Sequence, residues 1–456
     1  MNRRIRELVW LLVVASATGG DWKPPALAAD AASPAEPVAA VAAETNTLTL
    51  ERAVRLALAH NPELRAAASR VEATAGRAYQ AWLWPNPELE LAIEDGPTSG
   101  GVITDAKQTV GVAQTLPFPG KKKLDHAIGT AAIRATGAEL DLRRRDLVRD
   151  VKIAFFQVLA AQELVTVAGQ LVRVAEAAAQ TARKRVEAGA AADQEQLRSE
   201  IALEQARVER AGFERELAIA RQSLATLLGR PDLKDVPVSG ALAKTVDVAL
   251  FEQRPERWLI SHPSVVAARA AREQADLELR RARLEPYPDV KLGVAGGREG
   301  APDRDSIVEF RVSLPLPIID RSRGRKQEGR ANLAIAEAEA VAIEQRLLQA
   351  WGTASSRLRT AAEQVANYRE RLLPKANQAL RLVQVGFEEG KFGLIDLLDT
   401  QRTAAEARLA YQQKLLELNI AQAELEALLD LPAATAGAWA GATPAPGRPP
   451  FSPEPR

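Results

Sequence analysis

Val186-Glu187-Ala188-Gly189 returns as Phe387-Glu388-Glu389-Gly390, at an offset of 201 residues. Outward from this pair the correspondence continues. Leu228-Gly229-Arg230-Pro231 returns as Leu429-Asp430-Leu431-Pro432, and Leu116-Pro117-Phe118-Pro119 as Leu314-Pro315-Leu316-Pro317. Pro85-Asn86-Pro87-Glu88-Leu89-Glu90-Leu91 returns as Pro286-Tyr287-Pro288-Asp289-Val290-Lys291-Leu292. His60-Asn61-Pro62-Glu63-Leu64 returns as Ser261-His262-Pro263-Ser264-Val265. Punctuation held in register over half a chain means that one structural unit is used twice.

Each half reads helix, two strands, long helix, helix. The first helix runs from Leu48 to about Trp82, with Thr49 as its cap and Arg52 where a complete capping box has Glu. Pro62 should kink or divide it, and Pro85 and Pro87 end it. The period then changes to two. Leu89, Leu91 and Ile93 alternate with Glu88, Glu90, Ala92 and Glu94, and Val110 and Val112 follow the same rule. In the second half Val290, Leu292 and Val294 alternate with Asp289, Lys291 and Gly293. Val308, Phe310, Val312 and Leu314 alternate with Ile307, Glu309, Arg311 and Ser313. Four such segments suit either a one-sided soluble sheet or a lipid-facing barrel wall.

A long helix follows, about Lys122 to Glu187. Its stripe Leu147, Val151, Ala154, Val158, Ala161, Val165, Ala168, Val172, Ala175, Ala179, Ala182, Val186 alternates steps of four and three, which is a coiled-coil seam. Leu347, Trp351, Ala354, Leu358, Ala361, Val365, Tyr368 and Leu372 repeat the seam, and Pro374 predicts a kink. The long helix would measure roughly 100 Å at 1.5 Å per residue. The opening helix and the fourth element, Asp193 to Leu228, together match that length, so short helices stacked end to end would flank a long one.

Composition narrows the classes. The 456 residues carry 60 basic and 59 acidic side chains, a net charge of +1, which gives no electrostatic basis for nucleic acid. With no cysteine there is no disulfide framework or thiolate site. The three histidines are His60, His126 and His262; two of them stand beside the repeated prolines and read as helix-end packing rather than as metal ligands. No phosphate-binding loop, nucleophile elbow or His/Glu constellation appears, so no enzyme, cofactor or resident metal is expected. Gly293 to Gly300 joins two strands and reads as a hairpin loop.

The start reads as an export signal over residues 1–28: a basic Asn2-Arg3-Arg4-Ile5-Arg6, an apolar Leu8 to Ala17 and a small-residue Ala26-Leu27-Ala28. A flexible segment (29–46), an inter-repeat segment (231–255) and a Pro/Ala-rich tail (432–456) flank the repeats at 47–230 and 256–431. The inter-repeat segment and tail read as disordered or draped around the helices. No further uncharged apolar run is long enough for a membrane helix. An exported chain with barrel-type strands cannot leave a sheet edge open in lipid. Four strands do not close a barrel; three copies would supply twelve.

Here the residues resemble the TolC-type outer-membrane efflux proteins over about Thr47 to Leu431. The most specific stretch is Leu372-Leu373-Pro374 with Val385-Gly386-Phe387-Glu388-Glu389-Gly390-Lys391-Phe392-Gly393-Leu394-Ile395-Asp396-Leu397-Leu398-Asp399-Thr400-Gln401-Arg402. Pro85-Asn86-Pro87 and Gln114-Thr115-Leu116-Pro117-Phe118-Pro119-Gly120-Lys121-Lys122-Lys123 are more similar to the heavy-metal, CzcC-type branch. The resemblance implies a mostly α fold, a long coiled-coil helical barrel with a transmembrane β-barrel completed by trimerisation. It implies a homotrimer in the outer membrane that extends into the periplasm, against outer-membrane lipid. A periplasmic adaptor and an inner-membrane RND-type pump would be its partners.

The resemblance also assigns roles. The turns Val186, Gly189, Ala190 and Phe387, Gly390, Lys391 correspond to adaptor-contacting tips. Asp396 and Asp399 match paired aspartates at the periplasmic mouth, three apart on one helix face, so a trimer would ring six carboxylates and attract cations. The family's tyrosine and arginine lock positions hold Phe387 and Phe392 here, beside Lys391. Asp193 and Glu195 are the possible partners on the first tip, and an apolar closure or a Lys391 pair would replace the lock. Glu88, Glu90, Glu94, Lys291, Glu309 and Arg311 would face the barrel lumen. The expected function is a passive exit duct, for divalent metal cations on the branch resemblance. The same duct serving drugs or type I protein secretion, and a soluble periplasmic coiled-coil scaffold, are the competing readings.

Overall fold

The computed structural model describes residues 47–94, 106–251, 256–300 and 305–429. The expected export signal, the segment at 29–46 and the tail at 432–456 lie outside the described residues. The chain orders as α1 (Leu50–His60), α2 (Pro62–Trp82), β1 (Glu88–Glu94), β2 (Lys107–Leu116), α3 (Lys121–Glu187) and α4 (Asp193–Leu227). It continues as α5 (Glu256–Ser261), α6 (Pro263–Leu284), β3 (Val290–Arg298), β4 (Ser306–Ser313), α7 (Arg323–Asn367), α8 (Leu373–Glu388) and α9 (Leu394–Leu429).

Local chemistry sets these boundaries. The Thr49 hydroxyl accepts from the Arg52 N–H at 3.4 Å and starts α1. Pro62 divides the expected opening helix rather than kinking it. The residue before a proline is pushed out of the helical region, and Asn61 is extended, at φ −61 and ψ 125. Its side chain then serves both neighbours: Oδ1 accepts from the Leu64 N–H at 3.0 Å and Nδ2 donates to the Leu227 carbonyl at 2.9 Å. At the matching position His262 Nδ1 accepts from the Ser264 N–H at 3.2 Å and starts α6. His262 is buried, its ring edge-on to Trp258. This histidine is a helix cap.

The described residues fall into two compact units. One holds residues 69–136 and 270–337, with the sheet. The sheet is antiparallel in the order β1-β2-β3-β4. Its register sets Leu89 opposite Val112, Val112 opposite Val294 and Val294 opposite Phe310. Where the strands meet the helices, the Phe118 ring stacks on Tyr287 at 4.8 Å. Asp289 Oδ1 accepts both from the Phe118 N–H and from Lys121 Nζ, each at 2.8 Å. Its partial burial works to raise the carboxyl pKa, but the Lys121 ammonium and the Phe118 N–H hold it below the ordinary aspartate value.

A depressed carboxylate adds stability above its unfolded pKa, about 3.9, and that stability is lost as pH falls through the folded value. Asp289→Asn should therefore lower the thermal midpoint at pH 7 and change it far less near pH 2. Melting in detergent at the two pH values checks this. An equal loss at both would mean that the charge on Asp289 is irrelevant.

The other unit holds the described residues of 47–68, 137–269 and 338–429. Its core is the predicted seam: Leu147, Val151, Ala154 and Val158 of α3 pack with Leu358, Ala361 and Val365 of α7 and with Leu415, Leu418 and Leu425 of α9. One 18-residue window of α3 is apolar enough to pass for a membrane span, but 56% of it is buried inside the protein. That marks a core helix.

Two expectations need correction. The seam of the second half does not run on to Leu372. A π turn at Tyr368–Leu372, closed by the Leu373 N–H on the Tyr368 carbonyl, inserts a residue ahead of Pro374 and turns Leu372 outward. Gly293 to Gly300 is not a loop joining two strands for most of its length, since β3 runs on to Arg298. Of the two readings of the inter-repeat segment, the described part follows the second and is draped on the helices. Leu48 bridges Val238, and Val238, Leu242 and Phe251 enter the core. Asn419, buried on α9, accepts from the Ala243 N–H at 2.9 Å and donates to the Ala243 carbonyl at 3.0 Å. One amide thus satisfies both backbone groups of a residue that has no strand beside it.

Candidate functional site: the sheet wall and the hairpin tips

The sheet is inside out for a soluble protein. Its apolar face is bare: Leu91 is 71% exposed, Phe310 79% and Val312 72%, with Leu89, Val110, Val112 and Val308 also open. The burial belongs to the polar face, where Thr109, Ala113 and Ala295 are covered. Two central strands supply small residues there, Thr109, Gly111 and Ala113 on β2 and Gly293, Ala295 and Gly297 on β3. Charges on the flanking strands and the strand ends lean over them.

Those charges form one network. Lys291 meets Glu88 at 2.8 Å and Glu90 at 2.7 Å. Arg311 meets Glu309 at 2.8 Å, Glu90 at 3.3 Å and Glu94 at 4.0 Å. Lys107 pairs with Glu309 and Glu94. Glu90 and Arg311 stand on opposite edge strands, about 14 Å apart at ~4.8 Å per strand on a flat sheet. Side chains standing off a flat sheet would not close that gap. The contact therefore means that the sheet curls with its polar face concave and its apolar face convex.

The hairpin tips lie in the helical unit. Gly189 and Gly390 have φ of +70° and +74°, a conformation that glycine adopts at no steric cost. The two turns carry the same bonds. The Ala190 N–H reaches the Arg185 carbonyl at 2.8 Å, and the Lys391 N–H reaches the Gly386 carbonyl at 2.7 Å. Such 6→1 bonds close a helix end in a Schellman turn. Phe387 is 5% exposed and packs with Leu394 and Leu397. The guanidinium carbon of Arg185 sits 5.0 Å from the Phe387 ring centre.

The chain matches the family described as Outer membrane efflux protein twice, over residues 53–230 and 255–430. It belongs to this family. A cobalt-zinc-cadmium resistance protein, CzcC of Cupriavidus metallidurans, is 32% identical over 369 residues, covering 80% of this chain and 85% of the relative. Among solved structures, a membrane protein from Pseudomonas aeruginosa superposes with a TM-score of 0.73 at 22% identity, over 83% of this chain and 92% of that one. The outer membrane protein VceC of Vibrio cholerae gives 0.70 at 18% identity, over 83% and 95%. The efflux protein therefore resides in the outer membrane and extends into the periplasm. Its homologues are efflux proteins, not enzymes.

The predicted site residues of this efflux protein divide into those brought together and those kept apart. Glu88, Glu90, Glu94, Lys291, Glu309 and Arg311 share the concave network. Lys107 belongs with them and was missed. It stands two residues before Thr109, in the polar parity of β2 but ahead of the recognised alternation. At the tips Asp396 and Asp399 are both exposed on the first turns of α9. Asp396 also serves its own helix. Its Oδ2 accepts from the Gly393 N–H at 3.0 Å, which fastens the start of α9.

Lys391 makes its ion pair within its own turn, with Glu389 at 2.5 Å. Among the described residues of one copy it makes no ion pair with Asp193 or Glu195. Asp193 is exposed, and Glu195 has one buried carboxylate oxygen without a hydrogen-bond partner among the described residues. Phe392 is 44% exposed, its ring laid against Gly386. Phe387 is buried against Leu394 and Leu397 of its own hairpin. Val186, on the first tip, is half-buried. Among the described residues, no three of His, Cys, Asp and Glu gather to hold a metal ion.

Proposed function

We propose that this chain is the outer-membrane duct of a tripartite efflux system that exports divalent heavy-metal cations. Three copies close their sheets into a twelve-stranded barrel, and the two halves of each copy are one unit used twice. The tips at Gly189 and Gly390 receive a periplasmic adaptor, and an inner-membrane RND-type pump drives the cations. Asp396 and Asp399 ring the periplasmic mouth and concentrate cations there by charge.

The curled sheet, apolar outside and charged inside with neither edge paired among the described residues, carries this reading. An edge open to lipid leaves backbone groups without partners, so the wall needs a continuation. A soluble scaffold has the opposite requirement, since it would cover Leu89, Leu91 and Phe310. The similarity to a cobalt-zinc-cadmium resistance protein supports the cargo. Growth of a deletion strain, with and without complementation, tests it across zinc, cobalt, cadmium, nickel, copper and a panel of drugs. Sensitivity confined to the metals is the expected result. Sensitivity confined to drugs would leave the duct and remove the metal cargo.

A further inference from the structure

Arg185 and Phe387 occupy a place where the two halves differ. Arg185 corresponds to Gly386, and Val186 to Phe387, at the offset of 201. One tip thus supplies a cation where the other has no side chain. The other tip supplies a ring where the first has valine. The two come together, with 5.0 Å between guanidinium carbon and ring centre. Among the described residues no carboxylate pairs with Arg185.

Both partners are held by their own turns. The Arg185 carbonyl accepts from the Ala190 N–H at 2.8 Å, and the Phe387 carbonyl accepts from the Gly390 N–H at 3.1 Å. The Phe387 ring is fixed from below by Leu394 and Leu397, with Val383 and Leu398 around them. Gly386 is fixed too: a Cβ there would stand 2.2 Å from the Phe392 ring. The second tip has no room for the arginine that the first tip carries, so the pairing runs one way only. A guanidinium over an aromatic face is attractive, and more so where water is partly excluded.

We propose that Arg185 and Phe387 form the latch that holds the two hairpin tips of one copy together in the closed duct. Arg185 is a positioning residue: it acts on passage by fixing Phe387 and the start of α9, where Asp396 and Asp399 lie. The latch rests on the reading of the chain as a duct.

Single-channel recording of the purified full-length protein in planar lipid bilayers tests it, with melting curves to confirm folding. Arg185→Gln and Phe387→Leu should each raise the open probability roughly two- to thirtyfold, the range that a cation–π contact sets. The double variant should open no more than either single one, because both remove the same contact. Phe387→Trp, which offers the cation a stronger ring, should restore closure. If the wild type conducts and both single variants open no more often, the latch is wrong and the duct stands. Effects that multiply in the double variant also overturn the latch. A wild type without any conductance removes the duct, and the latch with it.

Discussion

Phe310→Arg is expected to cost about 2–4 kcal/mol of stability in a bilayer, the penalty for a charge on the lipid face of a barrel near mid-membrane. Phe310 lies in the middle of β4 and is 79% exposed on the convex, apolar face. One position earlier the sign of the argument changes. Glu309→Gln faces the concave side, where Lys107 and Arg311 retain Glu94 and Glu90 as partners. It should cost well under half as much. Denaturant titration of protein refolded into lipid vesicles measures both. On a sheet facing water, arginine at so open a position would be nearly neutral. Equal tolerance of the two changes would therefore refute the lipid-facing assignment.

Glu426→Ala should destabilise the helical unit by about 3–5 kcal/mol, because it leaves a buried ammonium without its counter-charge. Lys152 and Glu426 are 6% and 5% exposed, and Nζ stands 2.8 Å from Oε2. The second carboxylate oxygen accepts from Gln422 Nε2 at 2.7 Å, so the pair is well satisfied. The cost arises from breaking it, not from its net worth. Lys152→Met with Glu426→Leu, apolar replacements of similar bulk, should recover most of the loss. Thermal midpoints of the single and double variants decide it. A loss below about 1 kcal/mol for Glu426→Ala would show that the pair is solvated and behaves as a surface salt bridge.

Much of the fold was legible because its signals are local. Pro62, Pro85, Gly189 and Gly390 mark boundaries by backbone chemistry, and the steps of four and three along α3 select the buried stripe. Strand alternation was equally plain, but alternation alone does not say whether lipid or a packed layer meets the apolar face. The bare Leu91 and Phe310 are what favour lipid. The illegible parts are those made by residues far apart in the chain. Arg185 meets Phe387 across 202 positions and Lys152 meets Glu426 across 274, and neither pair leaves a trace in its own neighbourhood. In the inter-repeat segment, composition left disordered and draped readings open. Val238, Leu242 and Phe251 follow no helical or strand period, so their burial had no signature. Asp396 hid a second role because its helix begins at a glycine, not at the serine or threonine of a recognisable capping box.

The buried pair in the helical core has a bearing on the order of assembly. Lys152 is synthesised long before Glu426, and the helix that carries Glu426 is the last one described. Until that helix arrives, α3 presents an ammonium in the middle of an otherwise greasy seam. The pair thus ties the first half of the chain to the last described helix by a charge that no nearer carboxylate is seen to neutralise among the described residues.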